Sequence, residues 1–243
     1  MKWRIVLPAI VAATVVAVAA TVWLLASRNG AGVTTQSIDG GALVSSDGRT
    51  VSVTVGTNCN QTNTLTASEQ QAVVTVAVQV RVSGPPCSGF PGAAVYSARL
   101  RAPLGHRSLV DGATGRPVPI FDGRRILRPA YLPPGYALRY DAPDAFYLLG
   151  SQYLAVPQDP TVSCSQLYAA HGFQDLLVIT QASGGTLHWP PDFVPRAVTV
   201  RGHRALAVSG RVSWTQDGQT IVVAATDQAL PASELIAVAD SLA

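Results

Sequence analysis

The chain has 243 residues, 48% of them hydrophobic and 13% charged, with a formal net charge of +3. Lys2, Arg4 and Arg28 account for that whole excess, so the rest of the chain is neutral and lacks the basic stripe a nucleic-acid partner needs. The length suits one or two domains, with enough apolar residues for a core.

Residues 1–4 form a short basic tail. Ile5–Ala26 follows as an apolar run without a charge. At roughly 22 residues and about 1.5 Å rise per residue, a helix here spans a hydrocarbon core of about 30 Å. Lys2 and Arg4 precede the run and Arg28 follows it, which keeps the N-terminus in the cytoplasm and sends the rest outside. Trp3 and Trp23 suit its two membrane–water interfaces. Ala17-Val18-Ala19 also offers a cleavage site for a signal peptide. Thr21-Val22-Trp23-Leu24-Leu25 stays apolar beyond it, which favours an uncleaved anchor. Either way the expected location is the cell membrane, single-pass, with the bulk of the chain extracytoplasmic.

Residues 27–41 hold Gly30, Gly32, Gly40 and Gly41 and read as a flexible tether. Residues 42–121 read as an all-β domain, a sandwich or barrel. Leu43-Val44 leads to Asp47-Gly48, a pair suited to a two-residue hairpin loop. Val51, Val53 and Val55 then alternate with Ser52 and Thr54. Residues 58–66 look like a polar loop. Val74, Val76, Val78, Val80 and Val82 alternate with polar or small residues, as do Tyr96, Ala98 and Leu100. Asp111-Gly112 and Thr114-Gly115 mark further turns, and residues 118–121 close the region.

Three cysteines in an exported chain meet an oxidising compartment. Cys59 and Cys87 flank strand-like segments of the same half, so they are the expected disulfide. Closing that loop of about 28 residues stabilises the fold by about 3–4 kcal/mol. Cys164 is expected at the start of a helix, as a small buried side chain rather than a reactive thiol.

Residues 122–135, with Arg124, Arg125, Arg128, Pro129, Pro133 and Pro134, read as a stiff linker that holds two parts apart. Residues 136–243 read as an α+β domain, an antiparallel sheet covered by helices. Residues 145–153 are strand-like and aromatic. Residues 163–171 fit a short helix stopped by Gly172. Residues 176–180 suit a central strand. Residues 197–208 and 211–226 form two hairpins around Arg201-Gly202 and Asp217-Gly218. Pro231 opens a helix that runs to the end of the chain, with Leu235, Val238, Ala239 and Leu242 on its buried face.

The closing segment carries a resemblance. Val198-Thr199-Val200-Arg201-Gly202-His203, then Val212-Ser213-Trp214-Thr215-Gln216-Asp217-Gly218, then residues 230–242, are similar in order and spacing to extracytoplasmic domains of the lipoprotein-carrier and envelope-stress-regulator group. Leu132-Pro133-Pro134-Gly135-Tyr136 resembles the start of such domains. The first half, with Cys59, Cys87 and Pro103-Leu104-Gly105-His106-Arg107, resembles small disulfide-bearing β-domains of exported actinobacterial proteins. The resemblance implies a domain that binds lipidated partners or acts as a regulatory ectodomain. Regulators of that group often carry a cytoplasmic anti-sigma segment, and residues 1–4 are too short for one. No functional residue is carried over.

Catalytic patterns are missing from the sequence. The four histidines, His106, His171, His188 and His203, are scattered singly, with no metal-ligand spacing. There is no Gly-x-Ser-x-Gly elbow and no phosphate-binding Gly-Lys loop. Asp141 and Asp144 could pair as hydrolytic carboxylates but lie in a loop-like stretch. Tyr136, Tyr140, Phe146, Tyr147 and Tyr153 could line a groove or fill a core. The expectation is therefore a non-enzymatic binding or sensory ectodomain of the envelope, without a cofactor or metal. Its expected partners are the bilayer, through residues 5–26, and a lipid, peptide or envelope protein. The alternative is an envelope hydrolase.

Overall fold

The computed structural model describes residues 32–85, 92–144, 162–173, 175–184, 194–208, 210–226 and 230–243. The expected membrane span, Cys87, His188 and the aromatic stretch 145–153 lie outside the described residues. Among the described residues no helix is long and apolar enough to cross a membrane.

The first part is all β. Its strands are β1 (Val33–Gln36), β2 (Ala42–Val44), β3 (Thr50–Thr57), β4 (Gln61–Glu69), β5 (Val73–Val82), β6 (Gly92–Arg99), β7 (Ser108–Asp111) and β8 (Ile120–Asp122). They form two four-stranded sheets. In one, β5 pairs with β4 on one side and with β1 and β7 on the other. The other runs β6-β3-β2-β8. The alternating valines decide which face is inward: Val51, Val53 and Val55 of one sheet meet Val74, Val76, Val78 and Val80 of the other. Val82 breaks the pattern; it ends β5 and is 49% exposed.

Three sequence expectations change here. The loop expected over residues 58–66 shrinks to a turn at 58–60: Gln61–Glu69 is strand β4, paired along its length with β5. Its inward positions are Asn63, Leu65 and Ala67, so the apolar period is nearly silent. The expected tether contributes strand β1, which is held on β5. The Asp47-Gly48 hairpin forms, but it closes over residues 46–49, with the Ser45 N–H donating to the Thr50 carbonyl at 2.9 Å. Asp47 fills the longer loop by accepting from Ser45 Oγ and from the Arg49 N–H.

Among the described residues the second part is a seven-stranded antiparallel sheet with one α-helix. Its strands are β9 (Ala137–Pro143), β10 (Val162–Ala170), β11 (Asp175–Ser183), β12 (Arg196–Val200), β13 (His203–Val208), β14 (Arg211–Gln216) and β15 (Gln219–Ala225), in the order β12-β13-β14-β15-β11-β10-β9. Helix α1 (Ala232–Asp240) buries Leu235, Val238 and Ala239 against one face. Pro231 sits at its N-cap with extended ψ, and Glu234 lies in the first turn, where the helix dipole favours a negative charge.

The helix expected over 163–171 is strand β10. All nine of its residues are buried, so both of its faces pack and no period of two survives in the sequence. Gly172, at φ 67°, marks the turn into β11 rather than a helix stop.

The linker does not hold the two parts apart. It lies on the helix side of the sheet as a strap. Gln181, fully buried, accepts from the Leu127 N–H and donates Nε2 to the Leu127 carbonyl, both at 2.9 Å. With its amide turned to suit, Gln166 donates to the same carbonyl at 3.1 Å and accepts from Arg128 at 3.2 Å. Arg128 and Ala243 exchange backbone hydrogen bonds, and the Ala130 N–H donates to Ser241. Residues 241–243 therefore leave the helix to pair with the strap. The two parts also touch directly. Leu43 and Phe121, on the outer face of the β6-β3-β2-β8 sheet, meet Val162, Cys164 and Ile126. Thr54 Oγ1 donates to the Pro143 carbonyl, and the Gly41 N–H donates to Asp144. A Cβ at Gly40 would lie 2.6 Å from Asp144 Oδ2, so glycine is what allows this approach.

Candidate functional site

The two faces of the seven-stranded sheet differ in kind. Under α1 the sheet presents Leu177, Ile179, Val212, Trp214, Ile221 and Val223, large apolar side chains of the sort helix-on-sheet packing needs. Alternation sends the neighbours of these residues to the opposite face. The register aligns them in rows across the strands. One row runs Ala142, Ser165, Thr180, Val222, Ser213, Leu206 from β9 to β13. The next holds Ser163, Ala182, Thr220 and Thr215. This second face is a floor of hydroxyls and small apolar groups.

Most of the floor is buried, with Thr215 exposed and Leu206 half-buried at its far side. Ser165 and Thr180 are each 3% exposed, Ser213 2% and Thr220 7%. Ser165 Oγ and Thr180 Oγ1 satisfy each other at 2.9 Å. Ser213 Oγ has no hydrogen-bond partner. A buried hydroxyl left unpaired costs about 1–3 kcal/mol, so such groups are few in folded proteins and mark places where a further partner fits. On the same face, burial lowers the pKa of the Arg211 guanidinium. The hydroxyls of Ser165, Thr180 and Ser213 make no hydrogen bond to a carboxylate or imidazole among the described residues. As arranged, the row can donate and accept hydrogen bonds, which is binding chemistry.

The other concentration of polar groups, Gln166, Gln181, Arg128 and Asp141 with Cys164 and Tyr168, belongs to the strap. Arg128 pairs with Asp141 at 2.6 Å, and that carboxylate raises its pKa. Burial pushes the Tyr168 phenol up to about 12, with Asp141 adding to the effect and Arg128 opposing it. Burial also raises the Cys164 thiol, the opposite of what a nucleophile needs.

Cys59 is disulfide-bonded and Cys164 is a buried free thiol, as expected of it, although in a strand. Asp141 and Asp144 do not face each other across a substrate. Asp141 is taken by Arg128, while Asp144 accepts from the Ser163 N–H at 3.0 Å, the Ser163 hydroxyl at 2.8 Å and the Gly41 N–H. Both are structural clasps. His171 hydrogen-bonds Asp175 at 2.7 Å in an exposed turn, and His106 and His203 lie elsewhere in turns or at a strand start. Among the described residues no group of three or more His, Cys, Asp and Glu side chains could hold a metal ion. Tyr136 packs on the edge of the helix-side core, and Tyr140 is half-buried on β9 beside Leu167.

Sequence reasoning missed the hydroxyl floor. Ser163 and Ser165 fall in the stretch whose pattern fits a short helix, which hides their alternation. Thr180 ends an apolar run and Ser213 lies between Val212 and Trp214, where it reads as an ordinary outward residue. Comparison with models of known protein families and with curated proteins finds no match.

Proposed function

We propose that this chain is a membrane-anchored, extracytoplasmic binding or sensory protein of the cell envelope, and that the hydroxyl face of the seven-stranded sheet receives its ligand. The observation that carries the reading is Ser213 Oγ, buried without a partner in a row of small side chains on the face that α1 leaves alone. The ligand class is a lipid, peptide or lipidated protein with a polar group to meet the hydroxyls. The apolar run Ile5–Ala26 and its flanking charges support the anchor.

The disulfide Cys59–Cys87 belongs to the same proposal. Cys59 lies in the connection from β3 to β4, and Cys87 in the connection from β5 to β6. The strand ends that flank these two connections lie at the same end of the sandwich, since Gln61 pairs with Val82 and Thr57 with Gly92. With Cys164 free, Cys87 is the remaining cysteine. Such a bond staples the two sheets together at that end.

The test is native mass spectrometry of the full chain released from membranes in mild detergent. A co-purified ligand that the wild type retains and the Ser213→Val variant loses supports the reading. Ligand-free wild-type protein that also captures no envelope component in cross-linking removes it.

A further inference from the structure

The outer face of the β4-β5-β1 sheet is left bare by the second part, which packs on the other sheet through Leu43 and Phe121. At one end of that face lies a shallow cleft of about 300 Å³ lined by Val33, Thr62, Thr64, Gln79 and Arg81. The register explains the grouping: Thr62 pairs with Arg81, Thr64 with Gln79, and Val33 flanks Arg81 on the other side. The polar lining consists of a guanidinium, two hydroxyls and an amide, with no carboxylate. Arg81 is exposed and in no ion pair among the described residues, and neither threonine side chain is committed to a partner there. Converging donors without a counter-charge suit an anion with several acceptor oxygens.

The position of the cleft says which anion. β1 begins at Val33, and the Val82 N–H donates to the Gly32 carbonyl, so the chain comes in at the Arg81 end of the sandwich. The apolar run ends at Ala26, about seven residues earlier, a reach of at most about 25 Å. We infer that this cleft is a membrane-docking site in which Arg81, assisted by Thr62 and Thr64, takes the phosphate of an anionic lipid headgroup and lays the sandwich against the bilayer. The inference rests on the anchor reading of Ile5–Ala26. One guanidinium is a weak contact by itself, but the short tether makes its encounter with the headgroups intramolecular. Docking would fix the orientation of the second part, which is held to the opposite face of the sandwich.

The experiment uses the full chain in lipid nanodiscs, with arginine modification by phenylglyoxal read peptide by peptide in the mass spectrometer. In discs containing phosphatidylglycerol, Arg81 is expected to react about fivefold more slowly than in pure phosphatidylcholine discs. Arg99 and Arg101, at the far end of the sandwich, should react equally in both. The variant Thr62→Val with Thr64→Val should lose most of the Arg81 protection. Equal Arg81 reactivity in the two discs, equal protection of Arg99 and Arg101, or protection unaltered in the double variant each overturns the site. Protection of Arg81 by inorganic phosphate in phosphatidylcholine discs marks a soluble-anion site and overturns the lipid assignment. A chain that does not co-purify with discs overturns the anchor reading and this inference together, whereas co-purification without protection overturns this inference alone.

Discussion

Replacing Gln181 by methionine tests whether the strap is held by side-chain amides. Gln181 is fully buried and serves both backbone groups of Leu127. Methionine nearly conserves the volume, so packing changes little. The Leu127 carbonyl keeps its second donor, Gln166, but the N–H loses its partner. An orphaned donor costs about 1–3 kcal/mol when buried, and because Leu127 is only half-buried the lower part of that range applies, about 1–2 kcal/mol. For a chain of this size that is a drop in Tm of roughly 3–6 °C. Thermal unfolding of the full chain in detergent, followed by near-UV circular dichroism, measures it. Hydrogen exchange at the Leu127 amide should quicken at the same time. The double replacement of Gln166 and Gln181 should cost more than the single one. A Tm within about 1 °C of wild type, with the Leu127 amide still protected, would refute the account.

Other outcomes follow from particular contacts. The Cys164 thiol should resist maleimide in the folded protein and react at once in denaturant; reaction in the native state would contradict its burial. Glu69 accepts from the Arg101 N–H at 2.6 Å and from Arg107 at 2.9 Å, and these hold its pKa below the ordinary value of 4.5. Its contribution is complete above that value and fades as pH falls through the lower folded pKa, so Glu69→Gln should flatten the acid limb of a stability–pH curve; an unchanged limb would exclude this clasp. Gly41→Ala drives a methyl group into Val162 and should cost about 1–3 kcal/mol by overpacking, read by urea unfolding; a neutral result would mean that the two parts separate freely. Leu235→Ala removes a fully buried anchor of α1 and should cost about 2–5 kcal/mol in the same assay.

The sequence was most legible where one side of a strand meets a core and the other meets water. Val51, Val53 and Val55, and Val74 through Val80, alternate because only one face is buried, and that alternation marks both as strands. The last helix was equally plain, since Leu235, Val238 and Ala239 repeat at helical spacing. Legibility failed where both faces are buried or neither carries an apolar signal. β10 is buried throughout, so its Ser, Leu and Ala residues imitate a short helix. β4 offers only Leu65 and Ala67 among Thr, Ser, Asn, Gln and Glu residues, so it imitates a loop. The candidate site was hidden for the first reason: its hydroxyls become a row only when the four strands β10, β11, β15 and β14 are set in register. The strap was hidden because prolines signal stiffness but not what the stiff segment rests on.

The hydrogen bonds between the strap and residues 241–243 have a kinetic side. Tyr131 and Ser241 are 110 positions apart, and the strap passes beneath strands that lie between them in sequence. Contacts so distant form late, after hairpins such as β4–β5 and β14–β15 have already closed. Once seated, the strap joins the edge of one module to the terminus of the other, so neither can melt without disturbing its neighbour. Heating should therefore give one cooperative transition, with loss of structure in the sandwich and in the seven-stranded sheet arriving together.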